Sequence, residues 1–269
     1  MMHTINGLFG FAIGATDGGI GEVTDVYFDD ERWTIRYIVV ATGRWLHGRK
    51  VLISPMSVRG ICWDDAVMEL SITQQQVRDS PRIDTDKPVS RQHEIAFYNH
   101  YGYPNYWEGS NPWGLGMYPL PWVGASAEAA LSPPQSIDDV VRRRRFDCEH
   151  PTGDCHLRSS NQVIGHEVMA TDGPVGTIAD FVFNDSNWAI RDAVVATRKW
   201  LYGRQVLLPP ESIVGVSWSE HEVYLNVTRE TVEAGSEYDP ELSAVREQEA
   251  TPDHDHRRCG SLRHHTEDE

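Results

Sequence analysis

Short apolar stretches separated by polar turns occupy two parts of the chain. In the run from Trp33 to Ala41 the odd-numbered positions are apolar, which is typical of a strand with one buried face. Asp17-Gly18 precedes that run and favours the positive φ of a tight turn. About six such strands within roughly 70 residues, with frequent turns, predict a small closed or partly closed β-barrel.

The same pattern occurs twice at an offset of 155 positions. Thr16-Asp17-Gly18 recurs at 171–173, and Trp33-Thr34-Ile35-Arg36 recurs at 188–191 with one change. Residues 6–77 and 161–232 share 30 identities in 72 positions without a gap. Chance gives far fewer, so the chain contains a duplication. We expect two copies of one mainly β domain with equal loop lengths.

Between and after the copies the composition changes. We predict a first barrel at 1–85, a linker at 86–157, a second barrel at 158–240 and a polar tail at 241–269. Tyr, Trp, Gly and Pro are concentrated at 98–122, where Gly and Pro oppose regular structure and the aromatic surface is costly to leave in water. We expect this aromatic segment to pack between the barrels, with a partner surface as the alternative.

Charge and composition restrict the function classes. The formal net charge is -16 and the mean hydropathy is -0.45. A chain this acidic repels phosphate backbones, so general nucleic-acid binding is disfavoured. No apolar run reaches the roughly 18 residues of a membrane span, and we expect no signal peptide. Four scattered cysteines favour a cytoplasmic location with reduced thiols, and peripheral association with an inner membrane is left open.

Several repeated motifs resemble the PRC-barrel domain. They are the Thr-Asp-Gly turn, the Trp-x-Ile-Arg strand start, the Val-Val-Ala-Thr strand and the Gly-Arg-x-Val-Leu segment. This family is named for the H subunit of the photosynthetic reaction centre, and a related domain occurs in the ribosome maturation factor RimM. The arrangement resembles that of bacterial proteins with two such barrels joined by an aromatic linker.

The resemblance implies a module that binds partners and performs no chemistry. The expected function is that of a non-catalytic scaffold that binds a macromolecule or self-assembles, with no cofactor and no small-molecule substrate. One alternative is a peripheral role in photosynthetic electron transfer, like that of the H subunit. Another is a RimM-like role in RNA or ribosome maturation. We expect neither the membrane helix of the H subunit nor the N-terminal domain of RimM among these residues.

Candidate partner-binding residues come from two patterns. Tryptophan with arginine is common at the energetic centre of interfaces, and the loop after the Val-Val-Ala-Thr strand contains a tryptophan that follows Arg44 in the first copy and Lys199 in the second. The aromatic segment supplies the other candidates. The predicted residues are Trp45, Arg49, Trp200, Arg204, Tyr103, Tyr106 and Trp107. The structural interpretation of the loop tryptophans is packing over a barrel mouth, and that of the aromatic segment is packing between the barrels.

The other charged and metal-ligating residues also have two interpretations. The repeated Asp17, Asp25, Arg36 and Arg49, with their counterparts at 172, 180, 191 and 204, are expected to be structural. A run at 142–145 consists of four arginines and is read as a solvated linker, with an anionic surface as the alternative. Two thiols and two imidazoles close together could bind zinc and define a metal-dependent enzyme as a further alternative. These four residues are Cys148, His150, Cys155 and His156.

Overall fold

The computed structural model describes residues 1–82, 89, 91–107, 111–114, 157–197, 204–217 and 220–238. The described residues form two seven-stranded sheets accompanied by short helices. The predicted mainly β fold class is therefore confirmed. Within these residues, no helix is both long enough and apolar enough to cross a membrane.

Each copy supplies six strands to its own sheet in the same order. The strands of the first copy (copy 1) are β2 (Ala12–Ala15), β3 (Gly18–Asp29), β4 (Thr34–Ala41), β5 (Lys50–Ile53), β6 (Val58–Cys62) and β7 (Val67–Leu70). They are hydrogen-bonded in the order β5-β4-β3-β2-β7-β6, with β2 and β7 parallel. Helix α1 (Gln74–Asp79) follows, and Thr73 forms a capping box with Gln76 at its start.

The second copy (copy 2) repeats this order. Its strands are β9 (Glu167–Ala170), β10 (Gly173–Asn184), β11 (Ile190–Thr197), β12 (Gln205–Leu208), β13 (Ile213–Ser217) and β14 (Glu222–Leu225). The hydrogen-bonded order is β12-β11-β10-β9-β14-β13. Among the described residues outside copy 1, the α-helices are α2 (Arg91–Tyr101), α3 (Ser160–Val163) and α4 (Arg229–Glu233).

A short strand from the start of each copy completes the sheet of the other. Strand β1 (Met2–Thr4) pairs with β10, so that Met2 lies opposite Asn184. Strand β8 (Leu157–Ser159) pairs with β3, so that Leu157 lies opposite Asp29. These positions differ by 155 in both cases. The two copies therefore exchange equivalent strands, and their interface has approximate twofold symmetry.

Two aspartates that occur at equivalent positions anchor the exchanged segments. Asp25 accepts hydrogen bonds from the Ser159 hydroxyl at 2.6 Å, the Ser160 hydroxyl at 3.0 Å and the Asn161 amide at 3.2 Å. Asp180 accepts one from the Asn6 amide at 3.1 Å, the equivalent contact. Each carboxylate thus binds backbone or hydroxyl donors of the other copy, which explains why the duplication retains both.

The centre of the interface is formed where β4 and β11 begin. Thr34 and Ala189 form a bridge, and the Ile35 amide donates to the Trp188 carbonyl at 2.8 Å. The reciprocal bond runs from the Ile190 amide to the Trp33 carbonyl at 2.7 Å. Trp33 has a φ of 48° and Trp188 a φ of 60°. Both tryptophans thus have the uncommon left-handed backbone conformation. Each lies in the turn before its strand, and the two turns contact each other at the interface between the copies.

Gly21 and Gly176 mark a close approach of backbone in each copy. A Cβ atom at Gly21 would lie 1.9 Å from the Ala41 carbonyl oxygen, and one at Gly176 would lie 2.0 Å from that of Ala196. No side chain fits such a distance, so glycine is required for β3 to pass β4 and for β10 to pass β11.

One sequence expectation about cysteine is wrong at a described position. Cys62, at the end of β6, is disulfide-bonded in the structure and is not a reduced thiol.

Candidate interaction surface

The aromatic segment packs on copy 1 through helix α2 and the residues after it. Tyr37 of β4 contacts Phe97 edge to face with 5.1 Å between ring centroids. Tyr98 is fully buried and its ring also contacts those of Tyr106 and Trp107. Since these rings join the hydrophobic core cluster, the aromatic surface at 91–107 is buried mainly by this chain.

A buried arginine holds the end of this segment. Arg36 has no exposed surface, and its Nη2 donates to Asp29 Oδ2 at 3.0 Å. Its guanidinium lies 3.9 Å from the Tyr106 ring centroid and 5.1 Å from that of Trp113, and its Nη1 donates to the carbonyl of Pro112. A buried cation is stable only when it is paired in this way. Arg36 thus links the strand to the aromatic segment.

Glu94 of α2 forms a second buried polar link. It is 1% exposed and accepts hydrogen bonds from the Tyr37 hydroxyl at 3.0 Å and the Tyr106 hydroxyl at 2.5 Å. Burial, together with the nearby Glu94 carboxylate, raises the pKa of both tyrosines well above the ordinary value. Both phenols therefore stay protonated and donate to Glu94 at physiological pH.

The aromatic segment also reaches copy 2. The indole nitrogen of Trp113 donates to the Asn187 carbonyl at 2.8 Å, in the turn before β11. The segment thus lies mainly on copy 1 and is tied to the interface turn of copy 2. This agrees in part with the expectation of packing between the barrels.

Copy 2 lacks the residues that hold the aromatic segment on copy 1. Asn184 replaces Asp29, Asp192 replaces Tyr37, and Arg191 is exposed although it is the counterpart of buried Arg36. Burial, followed by the nearby Glu211 carboxylate, raises the pKa of Asp192. The identical arginine therefore has different environments in the two copies, and among the described residues it is Arg36 of copy 1 that holds the aromatic segment.

The predicted aromatic candidates are used inside the chain. Tyr106 is 3% exposed, and its hydroxyl is bonded to Glu94. The Tyr103 hydroxyl lies 2.5 Å from the Ser57 hydroxyl, and Trp107 is half-buried against the core cluster. In this structure Tyr106 does not present a surface to a partner, whereas Tyr103 and Trp107 remain partly accessible.

The loop candidates lie at the opposite end of β4 from the interface. Trp45 is half-buried, and the Arg78 guanidinium lies 5.6 Å from its ring centroid. Arg49 donates to the Arg78 carbonyl at 3.0 Å and the Ser80 carbonyl at 2.7 Å. Arg204 makes the equivalent bond to the Glu233 carbonyl at 3.0 Å. Both arginines therefore satisfy carbonyl groups at the end of the following helix.

The remaining candidates lie outside the described residues. They are Trp200, the arginine run at 142–145, and the metal candidates Cys148, His150, Cys155 and His156. Within the described ranges, no group of three or more His, Cys, Asp or Glu residues could hold a metal ion.

The repeated turn aspartates have a local structural role. Asp17 Oδ1 accepts from the Gln74 amide at 2.7 Å, and Asp172 Oδ1 accepts from the Arg229 amide at 2.8 Å. Each carboxylate satisfies a first-turn amide of the helix that closes its own copy. Both side chains are exposed at the helix start and stabilise it there.

A histidine pair occurs only in copy 2 and predicts a pH effect. Buried His166 stacks on His221 with 5.1 Å between ring centroids, where copy 1 has Phe11 and Ala66. Burial and then His221 lower the pKa of His166. The folded state therefore favours neutral His166, and we expect unfolding free energy to fall as pH drops below about 6.5, the ordinary histidine value.

Urea unfolding at a series of pH values tests this effect. His166→Phe, which installs the residue of copy 1, should flatten the fall in unfolding free energy between pH 6.5 and the lower folded-state pKa. His47→Phe is the control, because His47 is exposed. An unchanged pH profile in His166→Phe would contradict the assignment.

The described residues belong to a protein of two small, mainly β modules in tandem, each of which contributes one strand to the sheet of the other. The family model for the PRC-barrel domain matches residues 5–61, which extend from the 3₁₀ turn before β2 into β6. The matched residues include the copy 1 motifs that resemble this family, from the Thr-Asp-Gly turn to the Gly-Arg-x-Val-Leu segment. No curated protein matches the chain.

Proposed function

We propose that this protein is a non-catalytic interaction module in which two PRC-type barrels form one binding unit. The proposal includes copy 2 because copy 2 repeats the sequence of copy 1 and has the same order of strands in its sheet. The reaction-centre-like and RimM-like roles, and a cytoplasmic or membrane-peripheral location, are supported only by resemblance and composition.

The observation that supports the proposal is that the charged residues named below, which occur in both copies, form hydrogen bonds within the fold. Asp17 and Asp172 bind helix amides, and Asp25 and Asp180 anchor the exchanged segments. The arginines at 49 and 204 bind carbonyl groups at helix ends. An active site kept in both copies would have a nucleophile beside a base, or an acid paired with one. These duplicated charged residues instead stabilise the fold. We therefore propose that the protein acts by binding partners through its surface.

Affinity capture with the tagged full-length chain tests the proposal. We expect a specific protein to co-purify, and that protein, once purified, to bind with a fixed stoichiometry in calorimetry. Sedimentation velocity measures self-association in the same preparation. The proposal fails if capture equals that of a tag-only control and the protein remains a monomer at all concentrations tested.

A further inference from the structure

A group of cationic side chains surrounds the end of copy 1 where β4 leads into β5. We call it the basic end; its members are Arg44, Arg49, Lys50, Arg78 and Arg82. Contacts through Arg49 bring the loop and α1 together, because its guanidinium donates to the carbonyls of Arg78, Ser80 and Pro81. Burial, followed by the nearby Arg82 charge, lowers the pKa of Arg49.

These charges are not neutralised within the described part of the chain, where none of the five cations has an ion-pair partner. The acidic residue next to Arg78 is Asp79, whose Oδ2 accepts a hydrogen bond from Gln75 at 2.8 Å. The side chains of Arg44, Lys50, Arg78 and Arg82 are exposed. Among the described residues, this end of copy 1 therefore exposes four cationic side chains that form no ion pair, in a chain with a formal net charge of -16.

Copy 2 shows what the same surface looks like with compensating acids. Gln205 replaces Lys50, Glu233 replaces Arg78, and Glu237 replaces Arg82. The shared arginine, Arg204, has its Nη1 3.6 Å from Glu237 Oε2. The fold of copy 2 therefore accepts glutamate at the two positions where copy 1 has Arg78 and Arg82, so these two arginines are not required for folding.

We propose that the basic end of copy 1 binds an acidic segment of a protein partner. This rests on the proposed function and names the chemistry of the partner. Half-buried Trp45, beneath the Arg78 guanidinium, offers an apolar contact beside the charges, and tryptophan with arginine is the combination enriched at the centres of protein interfaces. Arginine also binds carboxylates in a bidentate manner.

A protein segment fits this surface better than an extended polyanion does. The acidic remainder of the chain repels a nucleic acid or an anionic membrane that extends beyond the basic end, whereas a short acidic segment contacts the basic end alone. Exposed ion pairs contribute at most about 1 kcal/mol each. Binding should therefore need several arginines together and should weaken as ionic strength rises.

Fluorescence anisotropy with a labelled oligoglutamate peptide tests the site in the full-length chain at low salt. The variant R78E/R82E installs the residues of copy 2, and we expect it to bind the peptide about ten-fold or more weakly. The control R59E/R191E makes the same change in net charge at two exposed positions outside the basic end. Equal losses in both variants, or no binding by the wild type, would overturn the proposal.

The repeat also permits a gain-of-function variant. E233R/E237R gives copy 2 the arginines of copy 1 beside the retained Arg204, and we expect the peptide stoichiometry to rise from one to two. An unchanged stoichiometry would count against the assigned residues. Far-ultraviolet circular dichroism and urea unfolding confirm that each variant is folded.

Two further results separate the inference from the proposed function. If RNA or vesicles of anionic lipid bind the wild type more tightly than the peptide does, the protein-segment assignment is wrong. If a partner co-purifies equally with the wild type and R78E/R82E, the basic end is not its site although the interaction function stands. Loss of capture in R78E/R82E alone, with R59E/R191E unaffected, supports both.

Discussion

Arg36→Met is expected to release the aromatic segment from copy 1, whereas Arg191→Met should leave the structure unchanged. The first substitution removes the cation between Asp29 and the rings of Tyr106 and Trp113. Breaking a buried ion pair from one side typically costs about 3–5 kcal/mol, because the other charge is left without compensation. Arg191 is exposed, so the same change there should cost less than about 0.5 kcal/mol.

Hydrogen exchange and urea unfolding measure the two effects of this pair of variants. In Arg36→Met we expect faster amide exchange at 91–107 and a lower unfolding free energy, with the strands of copy 2 still protected. Near-ultraviolet circular dichroism should also decrease, since the buried rings lose their fixed environment. If both variants unfold like the wild type, Arg36 does not hold the segment in place.

The paired arginines also show what the sequence could and could not predict. Arg36 and Arg191 occupy equivalent positions, so repetition alone assigns them one role. Their difference depends on the neighbours, because Asp29 and Tyr37 of copy 1 become Asn184 and Asp192 in copy 2. A buried arginine needs a counter-charge, and the loss of that aspartate in copy 2 was the available signal.

The strands and turns of each copy were predictable, because their signals are local. Alternation of apolar residues indicated β4, and Asp-Gly indicated the turn before β3. The strand exchange was not predictable in this way. Met2–Thr4 and Leu157–Ser159 share no identical residue at the repeat offset and are each only three residues long. Their pairing depends on contacts with a sheet that is distant in the sequence.

The aromatic segment was identified by composition but its partners were not. Tyr103, Tyr106 and Trp107 are candidate partner contacts in a segment that the sequence predicts to pack between the barrels. The missing information was Glu94, a buried carboxylate that accepts hydrogen bonds from two tyrosines of different segments. A single glutamate in a polar stretch gives no sign of burial, because burial arises only when α2 packs on β4.

Asp25→Ala is expected to weaken the joint between the copies. Its carboxylate accepts hydrogen bonds from Ser159, Ser160 and Asn161, all in the segment exchanged from copy 2. Ser160 is fully buried, so its hydroxyl would lose this partner without gaining water. Leaving buried donors unsatisfied costs about 1–3 kcal/mol each, and we expect the unfolding free energy to fall by about 3 kcal/mol.

Asp17→Ala provides the matched comparison, because Asp17 accepts a hydrogen bond from an exposed helix amide of its own copy. That change should cost about 1 kcal/mol or less, since water replaces the lost acceptor. Hydrogen exchange distinguishes the two positions: Asp25→Ala should expose the amides of β8 and α3, whereas Asp17→Ala should affect only the start of α1. Equal destabilisation by both variants, with β8 still protected, would show that Asp25 does not anchor the exchanged segment and that the copies are joined mainly by the turn at Trp33 and Trp188.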